Sequence, residues 1–461
     1  MKRRDLLKSA AGATAINLIG LLNQSKINAA PSPREEIARR GLAPLKITNV
    51  KAILTAPPAI RLTVVKIETN EAGLYGLGCA TFNQRAKAVV TAVDEFLKPF
   101  LIGKNPDHIE DIWQSMYVSS YWRNGPVLYN AMSGVDQALW DIKAKRANMP
   151  VYQLLGGKTR MAADCYAHAH GKSFEEVEDN VRRLLEEGFR HVRIQVGVPG
   201  AAVYGVPAPS KSSAPLKNNF QAPPAGPPQQ QHIYEPSPYV RTIPKLFHYM
   251  RKKVGEEIEL LHDVHERVTP DQAIYLCKRL EEYRPFFIED PLSPEQIGYF
   301  KHIRSQCATP IAMGELFNNP HEFIGLITDR LIDYIRVHIS QIGGLTPARK
   351  LAALCEWFGV RTAWHGPGDV SPIGHCANIA LDLACHNFGI QEAHHFPPET
   401  QEVFPGCPRL ENGYFWANEA PGWGVEIDEK LAAKYSPDRL TTPFDYFWGN
   451  TRRRDGSVIR P

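Results

Sequence analysis

The sequence predicts an α/β fold, a (β/α)7β barrel of the TIM type behind an N-terminal α+β capping domain. Three observations predict it. Eight short strand-like runs alternate with helical stretches between Asp164 and Glu392, the rhythm of a closed parallel barrel. Ahead of them the order is different, strands first and helices after. The chain has 461 residues, 43% of them hydrophobic and 22% charged, which is too apolar for disorder and enough for a barrel with a smaller partner. A doubly wound parallel sheet is the competing architecture for the same alternation.

Residues 1–30 read as an export signal. Lys2, Arg3, Arg4, Lys8 and Lys26 face Asp5 alone, a surplus that equals the net charge of +4 and leaves the rest of the chain neutral. A neutral body gives no electrostatic reason to expect nucleic acid or an anionic membrane as partner. The apolar run Ala10 to Leu22 is too short to span a bilayer. Arg3-Arg4-Asp5-Leu6-Leu7-Lys8 resembles a twin-arginine signal, which implies an exported, periplasmic protein. Asn28-Ala29-Ala30 lacks the small residue that should open a cleavage motif, so both a cleaved signal and a retained anchor fit.

The capping domain is expected over 45–155. Ile47 to Leu54 and Leu62 to Glu68 are strand-like, and Asn70-Glu71-Ala72-Gly73 turns the second into Leu74 to Cys79 as a hairpin. Helical patterns follow at Ala86 to Phe96 and Ala131 to Lys145. The barrel is expected over 160–400, with strands at Asp164–His168, His191–Gln195, Glu259–Asp263, Phe286–Glu289, Ile311–Glu315, Tyr334–Arg336, Thr362–His365 and Gly389–Glu392. Its first helix is signposted by Ser173 and Glu176 at capping-box spacing and by Gly188 at its end. An insertion, 205–238, interrupts the barrel with nine prolines and a Gln229-Gln230-Gln231 run. It reads either as a disordered surface segment or as a lid, since it leaves a barrel strand at the end where barrel active sites lie. Residues 401–461 are expected to return to the capping domain.

The strand ends carry the chemistry. Asp263, Glu289 and Glu315 recur at intervals of 26 residues, one strand-helix unit apart, which sets three carboxylates side by side on one rim. Unpaired, they would repel and raise each other's pKa. A hard divalent cation removes that conflict, and oxygen-only ligands favour Mg²⁺ over zinc. His168, Arg193, His265, Arg336, His365, Asp369 and Glu392 fall on the same rim. Singly, each is as well explained by structure; together they are hard to explain as packing. Eight cysteines without a C-x-x-C pair indicate neither a zinc knuckle nor a dense disulfide framework.

With these residues in view, the chain resembles the enolase superfamily, and within it the mannonate dehydratase family. The resemblance runs from about Ile47 to the C-terminus outside the insertion. It is carried by Ala131 to Lys145, Pro150 to Gly157, Arg193-Ile194-Gln195-Val196-Gly197-Val198-Pro199-Gly200, Leu261-His262-Asp263-Val264-His265 and His365-Gly366-Pro367-Gly368-Asp369. It implies that Asp263, Glu289 and Glu315 ligate Mg²⁺, and that Arg193 and Tyr204 form a dyad whose tyrosinate removes the proton alpha to a sugar-acid carboxylate. A neighbouring guanidinium lowers a Tyr pKa of about 10, so the dyad is physically reasonable. His265 would protonate the departing 3-hydroxyl. Asn83, Trp122, His168, Arg336, His365, Asp369 and Glu392 would line the substrate pocket. A homo-oligomer is likewise implied by the resemblance alone.

Arg193-Ile194-Gln195 stands where many superfamily members carry a Lys-x-Lys base pair, which disfavours the racemase, cycloisomerase and enolase chemistries. The reaction the resemblance implies is dehydration of a D-mannonate-like acid to a 2-keto-3-deoxy sugar acid, with D-gluconate or another acid sugar as the alternative substrate. A barrel that binds an acid sugar without turnover is the reading from a different class.

Overall fold

The computed structural model describes residues 43–58, 60–198, 232–437, 451–453 and 455–459. The chain divides into two units, Met1–Leu45 and Lys46–Pro461, and every element named below belongs to the second. Tyr204, the stretch 1–30 expected to be an export signal and most of the insertion lie outside the described residues. Among those described, no helix is long and apolar enough to cross a membrane.

The capping layer opens with a three-stranded antiparallel sheet, β1 (Ile47–Thr55), β2 (Leu62–Thr69) and β3 (Tyr75–Cys79). Helix α1 (Ile109–Ser119) and the long α2 (Pro126–Arg146) follow. α2 lies against the sheet because β3 offers glycines there. A Cβ on Gly76 would come within 2.0 Å of the Ala138 carbonyl oxygen, and one on Gly78 within 2.0 Å of that of Gly134. The helix expected at Ala86 to Phe96 runs on to Leu101, with π winding over Ala92–Leu97. Pro99, which has no N–H to donate, follows that stretch.

Eight parallel strands close the barrel: β4 (Ala163–Gly171), β5 (His191–Val196), β6 (Glu259–Asp263), β7 (Phe287–Glu289), β8 (Ile311–Met313), β9 (Tyr334–Ile335), β10 (Arg361–Thr362) and β11 (Gln391–Glu392). Neighbours pair in sequence order, β11 pairs back onto β4 through Gln391↔Cys165 and Glu392↔Tyr166, and a Thr362↔Phe388 bridge closes the remaining gap. From β7 onward the strands are shorter than the apolar runs that announced them. The rim residues Glu315, Arg336 and His365 therefore sit just past their strands, on backbone free to aim side chains inward. Helix α3 (Phe174–Glu186) shows the expected cap, with Ser173 Oγ accepting from the Glu176 N–H at 3.2 Å. Its buried Val177, Val181 and Leu184 form one stripe at helical spacing.

Inside the barrel, Tyr166, Leu261, Phe287, Ala312, Tyr334, Ala363 and Ile390 form an apolar plug, one residue from each of seven strands or strand ends. Side chains on a strand alternate faces, so the residue two further along points the same way. Two past Tyr166, Leu261, Phe287, Tyr334, Ala363 and Ile390 stand His168, Asp263, Glu289, Arg336, His365 and Glu392. The polar floor of the site is the next layer above the plug.

The insertion ends earlier than the sequence suggested. His232–Ile233 pairs in parallel with Thr451–Arg452, and helix α4 (Pro236–Val254) begins directly after. Beyond the barrel, the hairpin β12 (Arg409–Glu411) and β13 (Tyr414–Trp416) extends β4 by antiparallel pairing. The chain then reaches the capping layer: Trp423 Nε1 donates to the Leu77 carbonyl at 2.9 Å, and Glu429 takes Lys51 and Lys66 at 2.6 and 2.8 Å.

The Ala131 to Lys145 run on α2 is a row of connectors. Gln137 accepts from the Cys79 N–H at 3.2 Å, and Asp141 accepts from those of Leu77 and Trp423 at 3.0 and 2.9 Å. Asp136 accepts from the Thr346 N–H at 2.9 Å, at the start of helix α5 (Leu345–Phe358). One helix face thus ties the sheet, the C-terminal segment and a barrel helix together.

Candidate active site

The C-terminal ends of the barrel strands surround a cavity of about 720 Å³. Eight of the expected residues line it: His168, Arg193, Asp263, His265, Glu315, His365, Asp369 and Glu392. Glu289 and Arg336 are fully buried beneath them. His265 reaches the mouth because the chain turns left-handed straight after β6, with φ of +52° at both His265 and Glu266. Hydrogen bonds from the Val264 and Glu266 N–H groups to Glu289 and Asp290 carbonyls hold that turn. Such φ values cost a non-glycine residue roughly 1–3 kcal/mol each and persist only where surroundings enforce them.

Two guanidiniums thread between the acids. Arg193 Nη1 lies 2.8 Å from Glu289 Oε2 and 3.5 Å from Asp263 Oδ2, while Nη2 lies 3.2 Å from His168 Nδ1. Arginine can only donate, so that imidazole nitrogen accepts and the ring carries its proton on Nε2, 2.9 Å from Glu392 Oε1. Arg336 holds Glu315 at 2.5 Å and Glu392 at 2.6 Å, and Tyr166 OH at 3.1 Å. Burial disfavours the charged forms of Glu315 and Glu392, but His365 and Arg336 outweigh it and hold both well below the usual carboxylate range. Glu289 goes the other way: burial raises it despite Arg336 and Arg193. Burial also raises Asp369, and lowers His168 with help from Arg193.

Asp263, Glu289, Asp290, Glu315, Asp369 and Glu392 thus share the region with Arg193 and Arg336, and with Arg85 at the cavity wall, so among the described residues the carboxyls outnumber the guanidiniums, an excess of potential negative charge that a divalent cation would neutralise. Among the described residues no three His, Cys, Asp or Glu side chains stand as a ready-made metal cluster, and Arg193 and Arg336 are ion-paired with these carboxylates. Even so, both Asp263 carboxylate oxygens and Glu289 Oε1 are buried without a hydrogen-bond partner, with Arg193 Nη1 and Arg336 Nε each 3.5 Å away from one of them as ion-pair neighbours only. Orphaned carboxylate oxygens of this kind suit a hard cation, so Asp263 and Glu289, with Glu315 beside them, fit Mg²⁺.

Two expected residues lie elsewhere. Asn83 belongs to the turn Asn83–Arg85, but its Oδ1 accepts from the Arg61 N–H at 3.3 Å while its neighbours Phe82, Gln84 and Arg85 line the cavity. Trp122 is 80% exposed on the capping layer. The chain leaves α1 through Tyr121 at φ +64°, which sends the indole outward, edge-on to the Tyr121 ring. Sequence reasoning missed His170, His338, Asp290 and His394. The first two stand two residues beyond His168 and Arg336, so strand alternation was the available signal. Asp290 follows Glu289 at φ +38°, a turn with no sequence signature.

Comparison with known proteins supplies the remaining evidence. Residues 41–156 match the family described as mandelate racemase / muconate lactonizing enzyme, N-terminal domain, and residues 176–431 match the one described as enolase C-terminal domain-like. A D-galactonate dehydratase family member of Salmonella enteritidis is 54% identical over 420 residues, 90% of this chain and 99% of the relative. RspA of Pantoea ananatis, of the same family, is 54% identical over 418 residues, again 90% and 99%. A crystal structure of an enolase from Pantoea ananatis with bound D-gluconate and Mg is 52% identical at a TM-score of 0.85, covering 90% of this chain and all of that one. The expected superfamily is the one found, whereas the relatives carry the D-galactonate rather than the mannonate dehydratase name. The chain therefore belongs to the enolase superfamily and, within it, to the D-galactonate dehydratase family of sugar-acid dehydratases.

Proposed function

We propose that the chain is a Mg²⁺-dependent hydro-lyase of a six-carbon aldonic acid, D-gluconate or its C2 epimer D-mannonate, and that it releases the 2-keto-3-deoxy acid. The observation that carries this reading is the 52% identical Pantoea ananatis structure holding D-gluconate and Mg, seen against the orphaned Asp263 and Glu289 oxygens of this chain. The two acids differ only at C2, which becomes the ketone, so both give the same product. Specificity between them reduces to the face from which a base approaches C2: Arg193 with Tyr204, or His365 with Asp369.

Asp263, Glu289 and Glu315 would hold the cation. When bound, Mg²⁺ would stabilise the negative charge that builds on the substrate carboxylate as the alpha proton leaves. Arg193 keeps Nε buried without a partner, a donor left over for the base or the substrate. The base takes the C2 proton first; the electron pair it leaves then forms the C2–C3 double bond as the C3–O bond breaks, His265 gives the departing hydroxyl its proton so that it leaves as water, and the resulting enol tautomerises to the 2-keto acid. Arg336, held between Glu315 and Glu392, fixes the floor of the cavity.

The test is a set of separate incubations of purified protein with Mg²⁺ and D-gluconate, D-mannonate or D-galactonate, scoring 2-keto-3-deoxy acid. Product from D-gluconate or D-mannonate is expected. Binding of either acid without product would leave the reading of a non-catalytic acid-sugar binder.

Export completes the proposal. The family match begins only at residue 41, behind the basic and apolar start. Exposed Phe96, Tyr121 and Trp122 on the capping layer support self-association, to be checked by the mass of the native protein.

A further inference from the structure

The metal site has a support that lies outside the cavity, on the far side of β6. His262 precedes Asp263 and, by strand alternation, points away from the barrel lumen. It is fully buried, and its two ring nitrogens are both engaged. Nδ1 lies 2.8 Å from the carbonyl oxygen of Ile194, the residue after Arg193 on β5. A carbonyl can only accept, so Nδ1 carries the proton and Nε2 is left as an acceptor. Tyr239 OH supplies the donor at 2.6 Å, and the same hydroxyl oxygen lies 3.3 Å from the backbone carbonyl oxygen of Asp263. The Tyr239 ring stacks on the imidazole at 5.8 Å, and Arg267, 3% exposed, stands over the rings of Tyr234 and Tyr239.

The placement gives this arrangement its meaning. Tyr239 lies on the first turn of α4, so it roots the helix that the insertion feeds. Through Ile194 the imidazole clamps the strand of Arg193, and through its own backbone it carries the strand of Asp263. Arg193 Nη1 and Asp263 Oδ2 are 3.5 Å apart at the mouth, so a small shift between β5 and β6 would alter both the metal ligand and the guanidinium beside it.

We propose that Tyr239 and His262 are positioning residues that set the spacing of Arg193 and Asp263, and that they couple the root of the insertion to the metal site. The proposal rests on Asp263 being a metal ligand. Removing the Tyr239 hydroxyl leaves His262 Nε2 buried and unpaired and takes away its contact between β6 and α4, while every group that lines the cavity is chemically unchanged. Outer partners of metal ligands typically carry 10- to 100-fold in metal affinity or activity.

The experiment uses the full chain and Mg²⁺ alone as probe, by calorimetric titration, with melting temperature and steady-state kinetics on D-gluconate and D-mannonate measured alongside. Tyr239→Phe should weaken Mg²⁺ binding about tenfold and lower kcat more than it raises KM. His262→Gln should do the same, and the double variant should be no worse than the poorer single one, because the two act as one unit. Tyr249→Phe is the control. It removes a hydroxyl from the same helix, one that donates to Glu178 at 2.7 Å, and it should leave Mg²⁺ binding unchanged whatever it does to the melting temperature. Asp263→Asn separates the two levels of the argument. If Asp263→Asn loses Mg²⁺ while Tyr239→Phe and His262→Gln bind it like the unaltered protein, the positioning role is overturned and the metal site stands. If Asp263→Asn binds Mg²⁺ normally, the metal assignment falls and takes this proposal with it. Equal loss of Mg²⁺ binding in Tyr249→Phe would reduce the effect to general destabilisation and also overturn it.

Discussion

Glu315 departs from the rule that its neighbours obey. Most rim residues stand two past a plug residue, yet two past Ala312 is Gly314, at φ +145°, where a Cβ would come within 3.2 Å of the Arg336–Val337 backbone. The left-handed glycine re-aims the chain, and Glu315 reaches the rim one residue late. Regular 26-residue spacing was therefore enough to find the three acids, but not the local route that brings the third one in. Nor did it reveal that Arg193 and Arg336 stand between them, since spacing fixes which face a side chain is on and not what fills the space before it. Glu289→Gln should keep the fold, remove one anionic oxygen and weaken Mg²⁺ binding by at least the ~100-fold upper range of outer-shell changes; calorimetric titration checks this, and unchanged binding and turnover would remove Glu289 from the metal site. His265 makes a second case. Its left-handed backbone suits Asn among non-glycine residues, so His265→Asn should fold without added strain yet lose roughly 10²- to 10⁴-fold in dehydration. Exchange of the alpha proton in deuterated solvent should survive in part, because proton abstraction does not need that imidazole.

Among the elements, α2 was the most legible in sequence and the least understood. Its pattern marked a helix from Ala131, and the structure starts it at Pro126, where proline suits a first turn behind Gly125 at φ +93°. What periodicity could not show is that its buried polar residues are connectors. Asp136 is the clearest of them. Burial raises its pKa to about 7, although N–H groups at the start of α5 partly offset that. A carboxyl raised in the folded state binds a proton that the unfolded chain has already released, so its cost to stability grows as pH rises from its ordinary value of 3.8 to about 7. Asp136→Asn keeps an acceptor for the α5 N–H groups and removes the charge. Its stability relative to the unaltered protein, followed by denaturant unfolding at each pH, should climb across that window and level off above it, on the order of a few kcal/mol at the plateau. A flat difference from pH 4 to pH 8 would show that Asp136 does not titrate there.

For the whole molecule, the alternation of apolar runs and helical stretches was sufficient to choose the barrel, and the pairing of β11 with β4 excludes the open doubly wound sheet. The exposure of Trp122 was not legible, because a surface tryptophan looks the same in sequence as a pocket-lining one. Residues 1–35 fused to a reporter should leave the cytoplasm of a host with a working twin-arginine system, and the paired Arg3→Lys, Arg4→Lys change should hold the reporter back. Fractionation of cells decides it, and retention of the unaltered fusion would count against export. A last consequence follows from Trp423 and Glu429, which reach back to β1, β2 and β3. During synthesis the capping sheet leaves the ribosome first, but the residues that seal it are made hundreds of positions later. The layer that is born first is finished last, so a nascent chain stalled anywhere in the barrel still presents that sheet unsealed to chaperones and proteases.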